Sequence, residues 1–287
     1  MLVPDEVRKC VAFVCARFND GLRPCGTAFL FATPIPETDR MWVDVVTAKH
    51  VLAGIRTHSV DGKVLLRFNL KSGSYTLVET DVAQWILHPT ESVDVGIVAV
   101  SIPPDLDVRF LADSIAVTPD IIAKHRIGIG DDVFITGLFA NHYGTEQNIP
   151  ILRVGNIAAV PEEPVKTQLG AMEAYLVEAR SIGGLSGSPV FVYLDPLRQG
   201  AGPKGSLLVS SGEGPIGGAF FLLGLIHGHY DVPTVLDIER VDGLRDKAIN
   251  MGIAIVVPVT KIIETINQPE RTMLRKNIEN DFKKGHL

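Results

Sequence analysis

Short apolar segments separated by turn residues run through most of the chain. Segments of this length that are rich in Val, Ile and Phe are typical of β-strands. Turn-forming residues such as Asn19-Asp20-Gly21 and Asp61-Gly62 lie between them. Many short strands with few helical patterns favour an all-β sandwich or barrel. Strands are predicted at 11–18, 27–33, 42–47, 63–68, 95–100, 133–136, 151–158, 174–179, 189–193, 220–226 and 253–257.

A proline-containing segment at 102–120 divides the strand pattern into two units. We predict an N-terminal unit at 8–110 and a C-terminal unit at 121–258. The stretch at 195–218 is rich in Gly, Ser and Pro, so a surface insertion or flexible loop is expected there.

The pattern becomes helical in the last part of the chain, 259–287. Pro269 is suited to begin a second helix that runs toward Lys283. A helical tail is therefore expected. Its first apolar residues recur at helical spacing: Ile262, Ile263 and Ile266.

Composition and charge exclude several classes of function. Among 287 residues, 27 are Lys or Arg and 33 are Asp or Glu, which gives a net charge of −6. A hydrophobic content of 46% excludes a disordered polyelectrolyte. The acidic balance argues against nucleic acid as a partner, because binding there depends on neutralising phosphates. The apolar runs are far shorter than the roughly 20 residues that cross a bilayer, so no membrane association is expected.

The cysteines and the N-terminal residues indicate the cellular compartment in which the protein is expected. Cys10, Cys15 and Cys25 form no even set and no Cys-x-x-Cys spacing, so they are interpreted as reduced thiols without a metal. The first residues contain early acids and no basic region before a long apolar stretch, unlike a secretory signal peptide. A cytoplasmic protein is expected.

Three segments carry the residue types of nucleophilic acyl transfer. The strand at 42–47 runs into a small-residue turn that ends with His50. An acid, Asp94, precedes another apolar strand, and Ser186 lies in a glycine turn directly before a third. A serine hydroxyl needs a neutral imidazole to take its proton, and the imidazole needs a carboxylate to fix its tautomer. The developing oxyanion needs unobstructed backbone N–H donors, which flanking glycines allow.

These segments resemble the motifs of chymotrypsin-like (trypsin-like, PA-clan) serine peptidases, especially bacterial members. Thr-Ala-Lys-His-Val at 47–51 is similar to their histidine motif, and Gly-Leu-Ser-Gly-Ser-Pro at 184–189 to their serine motif. The order His, Asp, Ser is also theirs. Three flanking segments are similar to strands of the family: 26–31, 224–228 and 252–258.

The resemblance implies a chymotrypsin-like double β-barrel with a C-terminal helix. The first barrel would carry His50 and Asp94, and the second would carry Ser186. Ser186 would be the nucleophile, His50 the general base and then acid, and Asp94 the residue that orients His50. The backbone N–H groups of Gly184 and Ser186 would form the oxyanion hole. Weaker candidates remain for the acid (Asp81, Glu91 and Asp105) and for the nucleophile (Ser181 and Ser188).

One departure concerns activation. Leu185 stands where trypsin-type members carry an acid that pairs with a newly cut N-terminus. Zymogen activation through that ion pair is therefore not expected.

The resemblance also suggests a substrate pocket. The strand that contains His227 and His229 would line it, and Arg180 is a further candidate. Imidazoles there would favour a Glu or Gln side chain on the substrate. The alternative is a strand-end histidine pair without a substrate role.

The leading hypothesis is a serine endopeptidase acting on polypeptides, with no metal and no organic cofactor. One alternative is a catalytically silent peptidase-like domain that binds a peptide or partner. Another is an esterase of the α/β-hydrolase type, but that fold needs a helix after the serine and a histidine later in the chain. A regulatory protein partner is left open.

Overall fold

The computed structural model describes residues 3, 5–179, 184–194, 208–209, 220–232 and 249–283. Arg180 and Ser181 lie outside the described residues, as does most of the insertion predicted at 195–218.

The described residues form mainly strands. The first eight are β1 (Val11–Phe18), β2 (Gly21–Pro34), β3 (Met41–Thr47), β4 (Lys63–Asn69), β5 (Tyr75–Asp81), β6 (Ile86–Leu87), β7 (Gly96–Ala99) and β8 (Phe110–Ala112). The next five are β9 (Asp132–Gly137), β10 (Ile151–Ala159), β11 (Val165–Thr167), β12 (Gly170–Met172) and β13 (Tyr175–Glu178). The last four are β14 (Pro189–Tyr193), β15 (Leu208–Val209), β16 (Phe220–Val232) and β17 (Ile249–Pro258).

Four α-helices accompany the strands in the described part of the chain. They are α1 (Lys49–His58), α2 (Pro119–His125), α3 (Val259–Ile266) and α4 (Pro269–Lys283). The helical tail is confirmed, and its second helix begins at the predicted proline. Helix α1 was not predicted, because the segment after β3 reads as a small-residue turn. Among these helices, none combines the length and apolar character needed to cross a membrane.

Fifteen of the seventeen described strands build two sheets. The first runs in the order β5-β4-β1-β2-β3-β7-β6, with β8 parallel to β2 and β15 paired to β8, and it forms a half-barrel. The second is a closed barrel in the order β10-β13-β17-β16-β14-β9, and β11 and β12 form a separate ribbon. The all-β expectation is confirmed. The unit boundaries 8–110, 121–258 and 259–287 stay predictions.

Aromatic side chains fill the centre of the closed barrel. Phe134 on β9 stacks on Phe191 of the neighbouring strand β14, with ring centroids 4.8 Å apart. The ring of Phe220 meets Phe134 edge-on at 5.1 Å. Burial of such large apolar side chains is the main source of stability for a fold of this kind.

Helix α4 returns to the first sheet and packs on β3. Asp44 of β3 is fully buried and pairs with both Arg271 and Arg275, the latter at 2.6 Å. The Trp42 indole N–H donates to Glu279 Oε1 at 3.1 Å. Because β3 leads directly into α1, this contact fixes the strand that precedes His50.

The three cysteines are free thiols. Cys10 and Cys15 are buried, whereas Cys25 is half-buried. Burial raises the pKa of the Cys15 thiol to about 12, which keeps it protonated and unreactive.

Candidate active site

His50 and Asp94 come together where β3 and β7 pair. His50 is the second residue of α1, directly after β3, and Asp94 lies two residues before β7. These strands are antiparallel, with Thr47 opposite Gly96. The end of one therefore meets the start of the other, which places the two side chains side by side.

Asp94 holds His50 by two hydrogen bonds. The His50 backbone N–H donates to Oδ1 at 2.8 Å, and His50 Nδ1 lies 2.6 Å from Oδ2. Burial of the carboxyl, which is 0% exposed, would raise the pKa of Asp94, but the hydrogen bonds with His227 and His50 hold that pKa well below its usual range. Since an ionised carboxylate only accepts hydrogen bonds, Nδ1 of His50 carries a proton, and in the neutral imidazole the lone pair is on Nε2.

The turn that contains Ser186 is tied to the first sheet through Thr27 of β2. The Thr27 N–H donates to the Ser186 carbonyl at 2.9 Å, and the Thr27 hydroxyl donates to the Gly184 carbonyl at 2.9 Å. The Thr47 hydroxyl, at the end of β3, donates to the Thr27 carbonyl at 2.7 Å. Thr27 thus connects the serine turn with the strand that leads to His50.

Gly187 is required by the close approach of this turn to β2. Its φ is +84°, a conformation that side-chain-bearing residues rarely adopt. A Cβ atom at this position would lie 2.2 Å from the Thr27 carbonyl oxygen and 2.5 Å from Thr47 Oγ1. No side chain fits there unless the turn moves.

The Ser186 hydroxyl donates to the carbonyl oxygen of His227 at 3.4 Å. This is long for an O–H···O bond, for which about 2.7–2.8 Å is usual. Within the described part of the chain, Ser186 Oγ makes no hydrogen bond to His50. Among the same residues, no acceptor takes a hydrogen bond from the N–H of Gly184 or Ser186.

His227 contacts the same carboxylate as His50. Its Nδ1 lies 2.6 Å from Asp94 Oδ2, and the two imidazole rings meet edge-on with centroids 5.5 Å apart. Pairing of β16 with β17 shifts register between Ile226 and Gly228. A bulge of this kind re-aims side chains, so strand alternation does not predict where this imidazole points.

The sequence assigned His227 to the substrate pocket, and its contact with Asp94 was not foreseen. The two residues are 133 positions apart, and no short motif links them. His229 is half-buried further along β16. Arg180 lies outside the described residues. The pocket assignments for these three residues stay predictions.

The weaker candidates have other surroundings. Asp81 pairs with Lys63 at 3.0 Å, and the Glu91 backbone carbonyl accepts a hydrogen bond from Lys49. Ser188 is fully buried, so its hydroxyl is closed to a substrate. Ser181 lies outside the described residues, and the assignment of His50, Asp94 and Ser186 stays a prediction.

His50, Asp94 and His227 also form a group able to hold a metal ion. One nitrogen of each ring and one carboxylate oxygen all lie within 4.8 Å of one another. No other group of His, Cys, Asp or Glu in the described residues has this spacing.

Comparisons with known proteins bear on the fold. No family model matches the chain, and no curated protein matches it. Among solved structures, it is similar to the MamO protease domain from Magnetospirillum magneticum in its apo form. The identity is 12%, the match covers 92% of this chain and 99% of that chain, and the TM-score is 0.53.

Two further structures are similar at lower TM-scores. One is Rv3671c from M. tuberculosis H37Rv, as a serine-to-alanine mutant in an inactive form: 16% identity, 91% and 87% of the two chains covered, TM-score 0.43. The other is the thermostable serine protease AL20 from an extremophilic microorganism: 12% identity, 91% and 96% covered, TM-score 0.47. Identities this low concern the fold alone. The likeness to the MamO protease domain over nearly the whole of both chains confirms a chymotrypsin-like protease fold.

Proposed function

We propose that the chain is a serine endopeptidase acting through Ser186, His50 and Asp94. The observation that carries this proposal is the pair of hydrogen bonds from His50 to the buried Asp94 carboxylate. They select the tautomer whose Nε2 lone pair takes a proton from a nucleophile. The connection through Thr27 supports it, because it holds the serine turn against the strand that leads to His50.

The reaction proceeds through an acyl-enzyme. Ser186 Oγ attacks the peptide carbonyl carbon while His50 Nε2 takes the hydroxyl proton. The resulting oxyanion accepts hydrogen bonds from the N–H groups of Gly184 and Ser186. His50 then gives the proton to the leaving amine, and the amide C–N bond breaks. A water, deprotonated by His50, releases the acyl group and restores Ser186. No metal or organic cofactor takes part in these steps.

Ser186 must reorient before this reaction. Its hydroxyl donates to the His227 carbonyl, and it must exchange this partner for Nε2 of His50. Such bonds are often long in free enzymes and tighten when substrate binds. We therefore expect slow turnover without a well-fitting substrate.

The substrate is a polypeptide in this proposal, with no nucleic acid or membrane surface involved. Arg180, His227 and His229 remain our candidates for the primary pocket, with a preference for Glu or Gln. His227 uses Nδ1 on Asp94, so only its Nε2 and backbone are left for a substrate. A strong preference for Arg, Lys or large aromatic side chains in substrate profiling would contradict this pocket.

We also propose a reducing, cytoplasmic compartment. Support comes from Cys10, Cys15 and Cys25, which are free thiols. Structural disulfides are typical of secreted proteins and rare in the cytosol.

The second candidate is a silent peptidase-like domain that binds a peptide or partner. The orientation of the Ser186 hydroxyl favours it, because a nucleophile without its base is inactive.

A fluorophosphonate probe separates the two candidates. The peptidase hypothesis predicts one adduct, located at Ser186 by mass spectrometry, and its loss in Ser186→Ala and His50→Ala. Thermal unfolding of each variant checks that it is folded. The absence of any adduct on well-folded wild-type protein, with or without added peptides, would favour the silent domain.

A further inference from the structure

The buried Asp94 carboxylate is shared by two imidazoles. Its Oδ2 lies 2.6 Å from Nδ1 of His50 and 2.6 Å from Nδ1 of His227. The acyl-transfer steps proposed above use only His50, and the pocket role proposed for His227 does not require its contact with Asp94. The His227 side chain is only 11% exposed, so its position against the carboxylate calls for a function of its own.

The geometry points to a site for a divalent transition metal, of which Zn²⁺ is the best match, at His50, Asp94 and His227. Two imidazoles and one carboxylate are a ligand set that holds Zn²⁺ in proteins. The three ligand atoms already lie within 4.8 Å of one another. The ion takes the place of the two protons that now bridge the rings to Oδ2.

The three ligand atoms, which lie within 4.8 Å of one another, must rearrange to admit the ion. Zn²⁺ binds nitrogen and oxygen at about 2.0–2.2 Å, so tetrahedral ligands are about 3.3 Å apart. Each Nδ1···Oδ2 separation of 2.6 Å must therefore widen by about 0.7 Å. The His50 backbone N–H donates to the other carboxylate oxygen, Oδ1. A hydrogen bond of this kind to a ligating carboxylate orients it toward the metal.

Access is through His50, whose side chain is 35% exposed, whereas Asp94 is 0% exposed. Three protein ligands leave the fourth tetrahedral position for water. No further His, Cys, Asp or Glu of the described chain belongs to this group. Three protein ligands with an open fourth position differ from the four-ligand sets of structural zinc sites.

Metal binding and peptide hydrolysis exclude each other at this site. Nδ1 of His50 binds the ion through its lone pair, so the ring proton moves to Nε2. An Nε2–H group cannot accept the proton of Ser186, and the base is lost. Metal binding does not have to disrupt a hydrogen bond between Ser186 and His50, because the serine hydroxyl donates to the carbonyl oxygen of His227. Inhibition of peptide hydrolysis by the ion rests on the proposed function, whereas metal binding itself does not.

Direct titration with Co²⁺ and Zn²⁺ tests the site on chelator-treated, folded protein. Visible absorption of bound Co²⁺ reports tetrahedral coordination, and calorimetry gives the Zn²⁺ affinity and stoichiometry. The variants are His227→Gln and Asp94→Asn. His58→Gln is the matched control, because His58 is an exposed imidazole at the other end of α1.

We expect one ion per chain in the wild type and in His58→Gln. Affinity should fall at least about tenfold in His227→Gln and in Asp94→Asn, since loss of even an outer partner costs roughly 10- to 100-fold. Near-ultraviolet circular dichroism confirms that each variant is folded. Equal affinities in wild type and His227→Gln, or no binding by the wild type at millimolar Zn²⁺, would overturn the site.

Fluorophosphonate labelling at increasing Zn²⁺ tests the inhibition. Zn²⁺ should protect Ser186 from labelling in the wild type and in His58→Gln, and a chelator should restore labelling. Metal binding without labelling under any condition supports the site and refutes the peptidase. Labelling without metal binding refutes the site and leaves His227 as a positioning residue for Asp94. Undiminished labelling at saturating Zn²⁺ refutes the inhibition.

Discussion

Replacing Gly187 by alanine tests whether the serine turn depends on its close approach to β2. The new Cβ atom would lie 2.2 Å from the Thr27 carbonyl oxygen, at a backbone φ of +84°. The carbonyl cannot simply withdraw, because it accepts the Thr47 hydroxyl at 2.7 Å. The turn that contains Ser186 must therefore shift.

The cost has two parts. A left-handed conformation costs a residue other than glycine about 1–2 kcal/mol, and forced overpacking costs about 1–3 kcal/mol. Gly187→Ala should therefore destabilise the fold by about 2–5 kcal/mol. At roughly 2 °C per kcal/mol for a chain of this size, Tm should fall by roughly 4–10 °C. A displaced nucleophile should also slow fluorophosphonate labelling by about 100-fold.

Gly62→Ala is the matched control for this substitution. Gly62 also has a positive φ, +65°, but nothing lies within 4 Å of a Cβ built there. Its Tm should fall by roughly 2–4 °C, and its labelling rate should match the wild type. Differential scanning calorimetry and labelling kinetics on the three proteins measure both effects. Equal Tm values for the two variants, with normal labelling of Gly187→Ala, would refute the reasoning.

Two further predictions concern buried carboxylates. Asp44→Asn leaves the guanidiniums of Arg271 and Arg275 buried without their anion, so unfolding free energy should fall by about 3–5 kcal/mol in denaturant titrations. Asp81→Asn removes an exposed ion pair and should change the free energy of unfolding by less than about 1 kcal/mol. Equal losses of stability in the two variants would contradict this prediction. The folded pKa of Asp94 lies below its ordinary 3.8, so its ionised form stabilises the fold above about pH 4, and this contribution is lost as pH falls further. The stability gap between wild type and Asp94→Asn should therefore shrink below about pH 4, and a constant gap would count against the hydrogen bonds proposed for that carboxylate.

Sequence periodicity predicted most strands because these segments are short and β-branched. Strand β1 has the predicted bounds, and helix α4 begins at the predicted Pro269. Helix α1 was missed because its start signal is weak: Ala48 precedes it, and no side chain caps its first turn. Only three of its side chains, Val51, Leu52 and Ile55, are buried.

The residues of the candidate site could be predicted from the sequence, but the contacts between them could not. Motif order brought His50, Asp94 and Ser186 into consideration. The contact between His227 and Asp94 depends on a bulge in β16 and on pairing across 133 positions. The hydrogen bond from the Ser186 hydroxyl to the His227 carbonyl joins residues 41 positions apart, and no sequence pattern predicts it.

Hydrolysis of a mixed peptide library is the most direct test of endopeptidase function. Wild-type protein and Ser186→Ala are incubated with the library at matched concentration, with chelator present, and new termini are read by mass spectrometry. The proposed function predicts internal cleavages by the wild type that are absent with Ser186→Ala. Identical peptide sets from the two proteins, both shown to be folded, would contradict it.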